Sequence, residues 1–130
     1  MKILAVDDSP TMRDLVSQTL YQSGYTQFDT ATDGVDALEK IQEAEEEYDF
    51  FIIDINMPRM DGFELISNLR NMFDYMSTPI MVLTTERSNE MKKKGREVGA
   101  TSWIVKPFDQ KKFTDGIQST LDYVNRNETF

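Results

Sequence analysis

The sequence predicts an α/β domain of the (βα)5 kind, a doubly wound parallel sheet of five strands with helices on both faces. Three observations predict it. Five short apolar runs, at residues 3–6, 28–31, 50–53, 80–83 and 103–105, alternate with stretches of helical periodicity. The central runs are apolar throughout, as in strands covered on both faces, rather than alternating. Strands separated by helices also need crossover connections, which are right-handed and give parallel neighbours.

The first run, ILAV, ends in Asp7-Asp8. Ser9-Pro10 then starts a helix, a capping hydroxyl followed by a first-turn proline. Its predicted inner face carries Met12, Leu15, Val16, Thr19 and Leu20, and Gly24 ends it. A weaker second helix is predicted over about 35–46, and the acidic run at 43–47 reads as its solvated end. The third strand is the most hydrophobic and ends on Asp54, followed by a loop with Asn56, Pro58, Asp61 and Gly62. Beyond it, Phe63, Ile66, Leu69, Phe73 and Met76 make a helical stripe. The fourth strand runs into Thr84-Thr85-Glu86, and a fourth helix over about 89–98 is closed by Gly99. The fifth strand ends in Lys106-Pro107, and Phe113, Ile117, Leu121 and Val124 mark the last helix.

Composition narrows the chemistry. A length of 130 residues predicts one domain, residues 1–130. Lys plus Arg is 14 and Asp plus Glu is 23, a net charge of −9 that disfavours nucleic acid as a direct partner and suits a self-repelling monomer. With no cysteine and no histidine, carboxylates, hydroxyls and lysines must carry any chemistry. The sequence begins directly with a strand and holds no run of membrane-spanning length, so membrane insertion is not expected and a cytoplasmic location is.

Doubly wound sheets bind ligands beyond the carboxyl ends of their strands. Those ends here bring Asp7, Asp8, Asp54, Thr84 and Lys106 together. Any one of them alone reads as a helix cap or a cap's ion-pair partner. Three carboxylates at one crevice instead repel one another unless a cation neutralises them, and an all-oxygen donor set suits Mg2+, with Mn2+ as its substitute.

Four segments, VDDSPTMR, DINMPRMDG, LTTE and WIVKPF, stand in order at four strand ends, and on them the chain resembles the response-regulator receiver family, its stand-alone chemotaxis members most closely. The resemblance implies a flavodoxin-like sheet of order 2-1-3-4-5 and a single receiver domain with no output domain. It implies that Asp54 is the phosphoacceptor, taking its phosphoryl group from a phosphohistidine on a CheA-like histidine kinase. Mg2+ would be held by Asp7, Asp8, Asp54 and the backbone carbonyl of Asn56. Lys106 would pair with Asp54 or a phosphoryl oxygen, Thr84 would hydrogen-bond another, and Pro107 would follow a cis peptide bond. Trp103 stands where chemotaxis receivers usually carry a switching tyrosine; an indole is bulkier, so its inward packing is expected to be strained. Asn56 and Glu86 would tune the lifetime of the phosphoryl group, and Thr85 would narrow the path to it.

Such a protein is a phosphoprotein switch that catalyses only its own phosphorylation and autodephosphorylation. Its output would be the surface of helix four, strand five and helix five, here including Lys92, Lys93 and Lys94. The implied partner is a flagellar motor switch protein, with a phosphatase as another. A phosphorelay intermediate shares the same site. A haloacid-dehalogenase-type phosphohydrolase fits less well, because its general acid position, two residues after the nucleophile, holds Asn56. A calcium loop starting at Asp54 fails at Pro58, Arg59 and Leu65, and a mononucleotide-binding reading lacks a glycine-rich phosphate loop after strand one.

Overall fold

A computed structural model describes residues 1–128. In chain order the elements are β1 Ile3–Val6, α1 Pro10–Gln22, β2 Phe28–Ala31, α2 Gly34–Glu43, β3 Phe50–Ile53 and α3 Gly62–Arg70. A 3-10 turn, Phe73–Tyr75, leads to β4 Ile80–Thr84, α4 Asn89–Val98, β5 Ser102–Val105 and α5 Gln110–Glu128. All strand pairs are parallel, in the order β2-β1-β3-β4-β5. The strand order reverses between β1 and β3, which places the carboxyl ends of those two strands at the topological switch point.

Each of the first four helices starts on a side-chain cap. Ser9, Asp33, Asp61 and Ser88 accept hydrogen bonds from the backbone N–H groups of Met12, Asp36, Glu64 and Met91. These caps satisfy donors that no helical carbonyl can reach, and so set where each crossover begins. Gly99 closes α4 with a φ of 112°, a conformation that costs glycine little.

The period of two along each strand divides the core into two layers. Leu4, Val6, Phe51 and Ile53 pack with Phe63, Leu65, Ile66 and Leu69. Ile3, Ala5, Phe50 and Ile52 pack on the other face with Val16, Leu20, Phe113 and Ile117. Covering both faces is what makes the central strands apolar throughout. Among the described residues no helix is long and apolar enough to cross a membrane.

Several expected boundaries and faces differ. Leu15 is exposed, because Val16, Thr19 and Leu20 form the buried line of α1. The helix α2 stops at Glu43, since Ala44 is already extended, and the following glutamates lie in a loop. The stripe from Phe63 does not run on to Met76. Asn71 caps α3, leaving Phe73 89% and Met76 58% exposed while Tyr75 turns into the core. The strand β4 extends to Thr84 and β5 begins at Ser102. In α5, Phe113 and Ile117 are buried, whereas Leu121 and Val124 are only half-buried.

Arg70 accounts for the turn after α3. Its guanidinium donates to the carbonyls of Tyr75 and Thr78 at 2.8 and 2.7 Å. It also makes a forked pair to the Gly99 carbonyl at 2.9 and 2.7 Å. Burial pulls its pKa below the ordinary arginine value. One cation thereby ties the end of α3 to the end of α4 through backbone acceptors alone. Arg70→Met keeps the stem but strips those carbonyls of their donor, and is expected to cost about 2–3 kcal/mol in urea unfolding. A loss within experimental error would show that water replaces the guanidinium without penalty.

Candidate functional site

The parallel ladder continues one residue past β1 and β3. Asp7 N–H donates to the Ala31 carbonyl and Asp54 N–H to the Val6 carbonyl, each at 3.0 Å. Both carboxylates are therefore carried on paired backbone rather than on free loops. Lys106 arrives from the next strand but one, its own N–H bonded to the Thr84 carbonyl at 2.8 Å. Its ammonium donates to Asp7 Oδ2 at 2.7 Å and to Asp54 Oδ2 at 3.0 Å. The second oxygens accept backbone N–H groups, Asp7 Oδ1 from Ser9 at 2.9 Å and Asp54 Oδ1 from Ile55 at 2.7 Å.

All three of these side chains are buried, while Asp8 is exposed. Carboxylate oxygens of Asp7, Asp8 and Asp54 lie within 4.8 Å of one another. One ammonium faces three negative charges there, and Asp8 makes no hydrogen bond or ion pair among the described residues. The residues fit a hard divalent cation, since the donors are all oxygen and a cation would offset the local negative charge. Burial pushes the Asp7 carboxyl above its ordinary pKa, against the pull of Lys106. Burial would lower the Lys106 pKa, but its hydrogen bonds and charge contacts with Asp7 and Asp54 outweigh that and raise it. A carboxyl raised by folding favours the folded state only while protonated. That contribution is lost as pH rises through the raised value.

The residues around the mouth are joined through Glu86. Its carboxylate accepts from Asn56 Nδ2 at 3.0 Å, its N–H reaches the Thr84 hydroxyl at 3.4 Å, and its carbonyl accepts from Trp103 Nε1 at 3.0 Å. Thr84 is fully buried and Thr85 is exposed. The Lys106–Pro107 peptide is cis. Gly62 is required where it stands, because any Cβ there would overlap the Asp54 carbonyl oxygen.

Trp103 is half-buried, with its indole on α4 rather than swung out into solvent. Space for it comes from Gly95, where a Cβ would sit 2.6 Å from the ring carbon Cζ3. An indole thus fits inward because the facing helix gives up a side chain. The only sequence signal for this was an isolated glycine inside a helical pattern. The three consecutive lysines diverge. Lys94 lies over the Phe63 ring at 4.6 Å, whereas Lys92 and Arg96 border a hollow of about 160 Å³ at Trp103. Two contacts escaped the sequence reading altogether, Arg13 to the Asp7 carbonyl at 2.8 Å and Arg59 to Asp33 at 2.7 Å.

Comparison with known proteins follows the same lines. The family described as response regulator receiver domain matches residues 3–118. The chain is 36% identical to chemotaxis protein CheY of Treponema pallidum over 120 residues, 92% of this chain and 82% of that protein. It is 47% identical to the structure of Vibrio cholerae chemotaxis protein CheY4, with a TM-score of 0.85 over 92% of this chain and 97% of that one. A CheX-CheY-BeF3-Mg2+ complex from Borrelia burgdorferi superposes with a TM-score of 0.85 at 28% identity, over 93% of this chain and 89% of that one.

Because Asp8 adds charge without a partner, Asp8→Asn is expected to raise the thermal midpoint in Mg2+-free buffer by about 2–6 °C. Added Mg2+ should stabilise the wild type, by mass action, far more than the variant. Calorimetric scans with and without the ion check both. A midpoint that falls in Asp8→Asn would mean that the cluster is not repulsive.

Proposed function

The chain belongs to the response regulator receiver domain family, and on that premise we propose that it is the phosphoacceptor switch of a two-component chemotaxis pathway. The reading rests above all on Asp54, a carboxylate held at the end of a buried strand and shared with Asp7 through one ammonium. In this reading an Asp54 oxygen attacks the phosphorus of a phosphohistidine on the donor kinase. The new O–P bond forms as the P–N bond breaks, and its electron pair leaves with the imidazole, giving an acyl phosphate.

Asp7, Asp8, Asp54 and the Asn56 carbonyl would hold Mg2+, or Mn2+ in its place. The ion would supply charge shielding between the carboxylate and the incoming phosphoryl oxygens. Lys106 keeps one ammonium on the same side of Asp54, so the transferred group meets a positive charge already in position. The Thr84 hydroxyl holds only a long bond to Glu86 N–H and is the donor that would turn to a phosphoryl oxygen. The Asn56–Glu86 bond spans the mouth, which supports a role for both in setting how water reaches the acyl phosphate. Thr85, exposed beside them, would narrow the approach of donors.

We assign the output to the face of α4, β5 and α5, read by a docking partner rather than by a domain within residues 1–130. Lys92 and Arg96 beside Trp103 make that face locally basic on an acidic protein. A flagellar motor switch protein, and a phosphatase, are the partners it suits, for a monomer acting in the cytoplasm. Trp103 would carry the signal, because its N–H is bonded to the same Glu86 whose carboxylate caps the mouth.

Asp54→Asn should abolish Mg2+-dependent labelling by a phosphohistidine kinase, since an amide cannot form the acyl phosphate. Labelling at the normal rate would remove Asp54 from this role. Trp103 is the only tryptophan, so its emission reports this position. Beryllofluoride with Mg2+ should move that emission to shorter wavelength and reduce acrylamide quenching, and Thr84→Ala should suppress the change. Gly95→Ala should do the reverse by expelling the ring. An emission spectrum indifferent to a saturating mimic would make Trp103 a static part of the core.

A further inference from the structure

The loop between β3 and α3 does more than connect them, for its first residues include Asn56 and it leads into Gly62, the first residue of α3, which lies under Asp54. Its apex is a three-residue turn closed by Met60 N–H to the Pro58 carbonyl at 2.6 Å. Arg59 at the centre has a φ of 62°, and among the described residues it is the only one other than glycine with a positive φ. Such a turn is rare and strained for a residue with a side chain, and glycine would be the default there. Something must hold Arg59 in place.

The side-chain contacts of Arg59 come from the start of α2, while the ends of the loop are joined by Gly62 N–H to the Ile55 carbonyl at 2.9 Å. Arg59 Nε donates to Asp33 Oδ2 at 2.7 Å and its Nη2 to Oδ1 at 2.9 Å, a fork on a carboxylate that is itself 4% exposed. The guanidinium keeps that carboxyl below its ordinary pKa. Asp33 also caps α2 through Asp36 N–H, so it is fixed before Arg59 meets it. Beside it Gly34 N–H donates to the Met60 carbonyl at 3.3 Å, and the Met60 side chain fills the space a Cβ on Gly34 would take.

We infer that Arg59 is a positioning residue for phosphoryl transfer: clamped on Asp33, it fixes the loop that presents the Asn56 carbonyl to the cation. The inference rests on the phosphoacceptor reading above. It gives a physical reason for a strained arginine where glycine would be easier. The ion pair ties the loop to a helix that follows the edge strand β2, independently of the ladder that holds Asp54. Loss of the clamp leaves Asp7, Asp8 and Asp54 in place and loosens only the fourth ligand.

The test is a calorimetric Mg2+ titration of the intact protein, with folding of each variant confirmed by thermal melting. Arg59→Ala, Arg59→Gly and Asp33→Asn should each weaken Mg2+ binding about ten-fold, the low end of what losing a directly bonded outer-shell partner costs, because the clamp acts on the ligand only through the loop backbone. The double variant Arg59→Ala with Asp33→Asn should bind no worse than either single one, because both remove the same clamp. Arg59→Lys, which keeps the charge but not the fork, should fall between. In kinase labelling the Mg2+ needed for half the maximal rate should rise, while the rate at saturating Mg2+ stays near wild type. Wild-type affinity in all the folded variants would overturn the inference, and so would its full recovery in Arg59→Gly, which would make the ion pair a remedy for strain and nothing more. A wild-type protein that binds no Mg2+ would overturn the phosphoacceptor reading as well.

Discussion

A single ammonium shared by two buried carboxylates sets the terms for everything else in this molecule. Lys106 reaches Asp7 and Asp54 at 2.7 and 3.0 Å, which requires β1, β3 and the end of β5 to stay in register at one edge. Charges taken out of water are costly unless paired, so the pairing constrains the sheet as much as the sheet constrains the site. The register is enforced from below by two apolar layers that leave no strand free to slip by a residue without turning its side chains over. With Asp8 added, the cluster still carries excess negative charge. That excess is of the kind a hard divalent cation would offset.

Around that centre contacts lead outward on two sides. Glu86 joins the mouth to the outer face, through its carboxylate to Asn56 and its carbonyl to Trp103. The indole in turn lies against α4 at Gly95, where a Cβ would sit 2.6 Å from the ring. Arg70 holds the far end of α4 by its last carbonyl, so the helix is anchored at its C-terminus. On the other side Arg59 and Asp33 tie the loop between β3 and α3 to α2. Both sets of contacts begin at the same short loop, at Asn56 and at Arg59.

The protein's own sequence determined the local backbone and much of the site. The cap at Ser9, the closing Gly99 and the apolar runs at β1, β2 and β3 all act within a few residues, so their effects were legible without knowing what packs where, whereas the caps at Asp61 and Ser88 are findings of the structure. The gathering of Asp7, Asp54 and Lys106 was legible too, since a doubly wound sheet sends every strand's carboxyl end to one edge. Tertiary structure alone decided the rest. Leu15, Phe73 and Met76 are as apolar as their buried neighbours, and only the position of the next element shows which of them it fails to cover. The inward seat of Trp103 depends on a glycine in another element, and Arg59 finds Asp33 across 26 residues of chain. Likewise Lys94 leaves its two neighbours because a ring on α3 lies beneath it. In each case the deciding partner is remote in sequence, and a side chain carries no local mark of what it will meet.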